Sequence, residues 1–175
     1  MKKIFLLFFL FNISILFSQS KSNLVGSGFG LGTYIGNFPS QTTLGTKLLY
    51  EMNSPFSFFD KIQFHFSAAQ KVEKFLPGSY NYDHYSYFLS LGTSGLFRQF
   101  LNENFYFQEG LGIIYLNDRS FDDIDIWNFG AILNLLVGTE INKNIDLSLH
   151  LDYGLTFNNT NVSYTLIMIL VSYKF

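Results

Sequence analysis

The sequence predicts an all-β fold, an eight-stranded antiparallel up-and-down barrel that crosses a membrane with its strands. Three observations carry that expectation. From residue 21 onward the chain falls into eight segments in which apolar side chains alternate with small or polar ones, separated by turn-rich breaks. Twenty-two Phe and eleven Tyr stand against only 14% charged residues, a composition that favours strands and excludes a disordered chain. The last segment, 163–175 (SYTLIMILVSYKF), sets Ile167, Ile169, Val171, Tyr173 and Phe175 on one face and stops on an aromatic. So apolar a strand needs a partner on each edge and an apolar medium against one face, and a closed barrel in a bilayer supplies both.

Residues 1–20 read as a secretory signal peptide: Lys2 and Lys3, an apolar core over 4–17, then Ser18 and Ser20 before a cut after Ser20. A cut after Ser18, exposing Gln19, fits as well. The barrel domain is then 21–175. No 18-residue apolar run follows the leader, so a helical span is not expected. Removing Lys2 and Lys3 leaves nine basic against thirteen acidic residues, which makes nucleic acid an unexpected partner. The absence of cysteine excludes disulfides and thiol chemistry.

The strands are expected at 24–35, 43–52, 62–70, 85–97, 105–116, 127–141, 145–156 and 163–175. In the first, Val25, Phe29, Leu31 and Ile35 oppose a row of glycines at 26, 28, 30 and 32. In the second, Leu44, Leu48, Tyr50 and Met52 oppose Gly45, Lys47 and Glu51. The third sets Ile62, Phe64, Phe66 and Ala68 against Gln63, His65, Ser67 and Ala69. The fourth sets Tyr87, Leu89 and Leu91 against Ser86, Ser90, Gly92 and Ser94. In the fifth, Phe105, Phe107, Leu111, Ile113 and Tyr115 oppose Gln108, Gly110 and Gly112. Strict alternation there puts Glu109 on the apolar face, which calls for a bulge or an interfacial position. The sixth opposes Phe129, Leu133, Leu135 and Val137 to Asn128, Gly130, Asn134 and Glu140. The seventh has the cleanest period of two, with leucines at 147, 149, 151 and 155 against Asp146, Ser148, His150, Asp152 and Thr156.

Alternation alone does not tell a soluble barrel from a membrane one. The polar face does. A water-facing surface carries charge at about a quarter to a third of its positions, whereas this face is mainly Gly, Ser, Asn and Gln, the small side chains that fill an eight-stranded interior. Tyr34, Tyr50, Tyr85, Tyr115, Trp127, Tyr153 and Tyr173 near strand ends suit interfacial aromatic girdles. With Tyr173 and Phe175 closing the last strand, the chain resembles small bacterial outer-membrane β-barrel proteins. That resemblance implies residence in the outer membrane among lipid and lipopolysaccharide, as a monomer, and delivery to the barrel-assembly machinery through the strand ending in Phe175. An even strand number puts both termini on the periplasmic side, with 53–61, 98–104 and 142–144 as periplasmic turns. The connections 36–42, 71–84, 117–126 and 157–161 then lie outside.

Four groupings could carry chemistry. His65-Phe66-Ser67-Ala68 resembles the His-x-Ser-Asn motif of outer-membrane lipid A deacylases, but Ala68 replaces the Asn and the match sits on the third strand rather than near the C-terminus. At that later position the chain offers His150-Leu151-Asp152, without the serine. A serine nucleophile needs an adjacent base, and alternation turns His65, Ser67, His150 and Asp152 inward, where lumen filling is the plainer role. The inward set Lys47, Glu51, Gln63, His65, Gln108, Asn134, Glu140, Asp146, His150 and Asp152 is expected to pair internally, as a stiffening plug or else as a gated polar path. Asp118, Asp122, Asp123 and Asp125 in the 117–126 loop read as a solvated acidic loop, with Ca²⁺ as the alternative. The sequons at 158–160 and 161–163 carry no weight, and no cofactor motif is present. The functional expectation is a structural, surface-interaction or envelope-integrity protein. The alternatives are a lipid A-modifying hydrolase or an inactive relative of one, and a narrow pore.

Overall fold

The computed structural model describes residues 23–36, 39–77, 84–157 and 162–175. The leader at 1–20 and positions 158–161 of the sequons lie outside these residues.

Eight strands follow one another: β1 Leu24–Ile35, β2 Gln41–Asn53, β3 Lys61–Lys71, β4 Tyr87–Phe100, β5 Phe105–Arg119, β6 Ile126–Asn142, β7 Ile145–Thr156 and β8 Ser163–Lys174. Each pairs antiparallel with the next, and β8 returns to β1 to close the barrel. The closing register runs from Leu24↔Lys174 to Ile35↔Ser163, so the glycine-rich first strand and the apolar last strand cover each other's edges completely. The expected fold class is the observed one.

The end that holds the two termini has short turns, and each is folded onto a side chain. Asn102 Oδ1 accepts the N–H groups of Asn104 and Phe105, and Asn142 Oδ1 those of Asn144 and Ile145. Ser54 Oγ accepts the N–H of Phe56. These are the local bonds by which short polar side chains nucleate turns. At the opposite, loop end, β3 leads into a 3-10 turn, η1 Val72–Phe75.

Two strands run three residues past their expected ends. β4 continues to Phe100 because Gln99 and Phe100 pair with Phe107 and Tyr106 while Arg98 turns inward. β5 continues to Arg119 because Asn117 and Asp118 pair with Trp127 and Ile126. The acidic loop therefore contracts to 120–125 and loses Asp118 to the barrel.

The facing of the strands follows the alternation. Outward side chains such as Phe29, Leu111 and Phe129 are 60–66% exposed, forming an apolar wall far larger than a water-soluble monomer presents. Tyr50, Tyr115, Trp127, Tyr153 and Tyr173 also face outward, with Tyr115 stacked on Trp127 at 4.7 Å. Tyr85 precedes β4. Tyr34 is a correction: it shares the parity of the β1 glycines, points into the lumen and is fully buried. Glu109 faces outward on unbroken register, opposite Phe97 and Leu135, so no bulge rescues it from the apolar wall. Among the described residues the one recorded register shift lies between Glu140 and Asn142 of β6.

The glycine row of β1 has a packing cause. A Cβ at Gly30 would sit 1.9 Å from the Ile167 carbonyl oxygen. At Gly28 it would sit 2.4 Å from Leu170 Cγ. Leu166, Met168 and Leu170 thus lie across bare β1 backbone, and this side of the interior is apolar.

Candidate functional site: the filled lumen

The inward side chains form three zones along the barrel axis. At the loop end Tyr34, Phe88 and Tyr164 pack as a layer, with ring centroids 5.1 Å apart for Tyr34–Phe88 and 4.5 Å for Phe88–Tyr164. Leu116, Ile114, Ile132 and Leu166 back them. The Tyr34 hydroxyl donates to Asp118 Oδ1, which also receives the hydroxyl and the N–H of Ser120. Asp118, expected in an acidic loop, is instead the anchor of this layer. All three rings are at most 1% exposed.

The middle zone holds a buried ion pair. Lys47 Nζ donates to Asp152 Oδ2 at 2.6 Å, with both side chains fully buried. Asn134 Nδ2 donates to Asp152 Oδ1 at 2.7 Å. Two charges withdrawn from water persist only when each is answered and the carboxylate's other lone pairs are used, and both conditions hold here. His150 lies within one hydrogen bond of Ser148, Nε2 to Oγ 3.1 Å. His65 lies flat over Gly92, its register partner, whose Cβ would meet the ring at 2.5 Å. Tyr106 over Gly138 and Tyr164 over Gly154 repeat the device, each ring lying on the glycine directly paired with it.

The zone at the terminal end is a network. Arg98 donates to Glu51 Oε2 at 3.1 Å and to Gln108 Oε1 at 2.6 Å, and its guanidinium lies 4.2 Å from the Tyr106 ring centroid. Gln63 and Gln108 both donate to Glu51 Oε1. The Tyr106 hydroxyl donates to Asp146 Oδ2 at 3.2 Å. Lys174 Nζ bridges Glu140 at 2.6 Å and Asp146 at 2.9 Å.

All ten expected lumen residues therefore face inward, and every inward carboxylate among them meets a cation. Sequence reading misses three of their partners: Arg98, which falls in an expected turn, Tyr106, and Lys174, which stands between two aromatic neighbours. Lys174 was findable, since it has the opposite parity to Tyr173 and Phe175.

The hydrolase candidates do not converge. His65 Nδ1, His65 Nε2 and Ser67 Oγ have no hydrogen-bond partner, so His65 and Ser67 form no dyad. Ser148, His150 and Asp152 share a face of β7, but the Asp152 carboxylate is taken by Lys47 and Asn134. All three are buried in the lumen, away from the lipid-facing wall on which an acyl chain would lie. The aspartates diverge as well: Asp125 pairs with Arg119 at 2.5 Å, Asp122 faces His84 at 3.7 Å with 92% of its side chain exposed, and Asp118 is buried. Among the described residues no cluster of His, Asp or Glu could hold a metal ion. On the outer wall a shallow apolar groove of about 650 Å³ crosses β1 to β6, with Phe64, Phe66, Leu91 and Ile113 among its lining.

No family model matches the chain, and no curated protein matches it by sequence. Solved structures do. Neisserial surface protein A superposes with a TM-score of 0.68 at 12% identity, over 89% of this chain and all of that one. Ail, the attachment invasion locus protein of Yersinia pestis, superposes with a TM-score of 0.56 at 12% identity, over 90% of this chain and all of that one. The chain has the fold of the small eight-stranded outer-membrane barrels.

Proposed function

We propose that this protein is an exported outer-membrane barrel with a structural or surface-interaction role, whose lumen is a brace rather than a route for solutes. The observation that carries the reading is the contrast between an apolar outer wall and an interior filled by ion pairs and closed by the Tyr34–Phe88–Tyr164 layer. The leader at 1–20 supports export, and Phe175 behind Tyr173 supports recognition by the assembly machinery. With the interior occupied, partners meet the loop end, 120–125 among its segments, and the lipid and lipopolysaccharide around it. The two similar structures, by name a surface protein and an attachment protein, support the same direction, though a fold hosts many roles.

The test has two arms. The mature chain should need detergent or lipid to remain a folded monomer; a folded, soluble monomer in plain buffer would end the membrane reading. Reconstituted in planar bilayers it should give no discrete conductance steps, while deletion of 120–125 should alter binding of cells to a surface displaying it. Stepwise conductance by the unaltered chain would overturn the brace and favour a pore. Lipid A extracted from cells carrying Ser148→Ala or His150→Ala should keep its mass.

A further inference from the structure

We propose that the β3–β4 wall of the lumen holds a file of internal water, a seam that admits water and protons but no larger solute and stops beneath the Tyr34–Phe88–Tyr164 layer. The starting observation is a group of polar atoms with no protein partner: both ring nitrogens of His65, the hydroxyls of Ser67 and Ser94, and Gln63 Oε1. All four residues are at most 4% exposed. They are not scattered. Gln63 is the register partner of Ser94, His65 of Gly92, and Ser67 of Ser90, so the atoms line two neighbouring strands at successive heights.

A buried donor or acceptor left unsatisfied costs about 1–3 kcal/mol, and interiors meet that cost with ordered water where the surroundings are polar and roomy. This wall is polar, and its β4 side chains are short: the inward positions are Ser90, Gly92 and Ser94, none longer than a hydroxymethyl group, with the His65 ring over Gly92. From Gln63 to Ser67 the facing groups are neutral donors and acceptors: Lys47, the register partner of Ser67, is bound by Asp152, and the buried Lys61 lies beyond Gln63 at the terminal end. A seam of hydroxyls, an imidazole and an amide suits water. The opposite wall is dry, with Leu166, Met168 and Leu170 pressed on the β1 glycines.

The seam has defined ends. Gln63 donates to Glu51 at 3.0 Å, joining the file to the ion-pair network at the terminal end. At the other end Ser90 lies against the Tyr164 hydroxyl, immediately under the aromatic layer. The file is therefore open to polar groups below and blocked by apolar rings above, a constriction of the kind that stops conduction by excluding water.

Water-edited NMR on the full chain in lipid bilayers reads the seam directly. Magnetisation from water should reach the His65 ring and the Ser67 and Ser94 side chains, and should not reach Met168 or Leu170. A His65 ring as dry as Met168 overturns the proposal. The second measurement opens the block. Phe88→Ala with Tyr164→Ala, reconstituted in vesicles containing a pH-sensitive dye, should raise proton entry at least about tenfold over the unaltered chain. Adding Ser67→Val and Ser94→Val should abolish the increase. A folded opened variant that admits no protons overturns the proposal, as does one whose proton entry survives the added valines. Should the opened variant fail to fold, the NMR contrast on the unaltered chain decides alone.

Discussion

The two ends of the lumen close by opposite physics. At the loop end Tyr34, Phe88 and Tyr164 exclude water by ring packing, and the charged Asp118 beside Tyr34 is held by hydroxyl groups. At the terminal end Arg98, Glu51, Lys174, Glu140 and Asp146 fill the same cross-section with paired charge. Apolar packing is tolerant, because losing one contact removes only that contact's contribution. Paired charge is brittle, because removing one partner leaves the other buried and unanswered. The middle zone, Lys47 with Asp152, is the most extreme case of the second kind, since neither side chain meets solvent.

That contrast is open to measurement by unfolding in urea from lipid vesicles, with Trp127, the single tryptophan, as the optical probe. The largest effect should come from Lys47→Met, which leaves Asp152 with Asn134 alone and should cost about 3–5 kcal/mol. Lys47→Met with Asp152→Leu should regain most of that loss; a double variant as unstable as the single would mean the site needs polarity itself rather than charge balance. Next comes Tyr34→Phe, which takes a donor from Asp118 and should cost about 1–3 kcal/mol. Phe88→Leu, a change of shape inside the apolar layer, should cost about 1–2 kcal/mol. A Phe88→Leu loss equal to that of Lys47→Met would erase the distinction between tolerant and brittle ends. The smallest effect belongs outside the lumen. Glu109→Leu removes a carboxylate from the lipid-facing wall and should stabilise the barrel by about 1 kcal/mol or less. A loss there would show that Glu109 has a partner on the outer wall.

Much of this was legible beforehand. Period-two alternation fixed which way Lys47, His65, His150 and Asp152 point, because a strand allows each side chain only two directions. The same parity puts Tyr34 on the glycine side, against the girdle position that its aromatic character suggests. The signal failed where tertiary partners extend an element. Asp118 and Arg98 look like loop residues until Tyr34 and Glu51 arrive from strands distant in sequence. The same holds for the glycines, whose purpose at 92, 138 and 154 is to receive a ring from the paired strand.

By itself, then, the sequence determined the number of strands, their two faces and the apolar character of the outer one, because each is a property of neighbours along the chain. The tertiary structure alone decided which charges meet, which rings close the lumen and which polar atoms go without a protein partner. Those depend on the stagger of closure: the β8–β1 register, Leu24 opposite Lys174, sets the relative heights at which inward side chains face one another across the lumen.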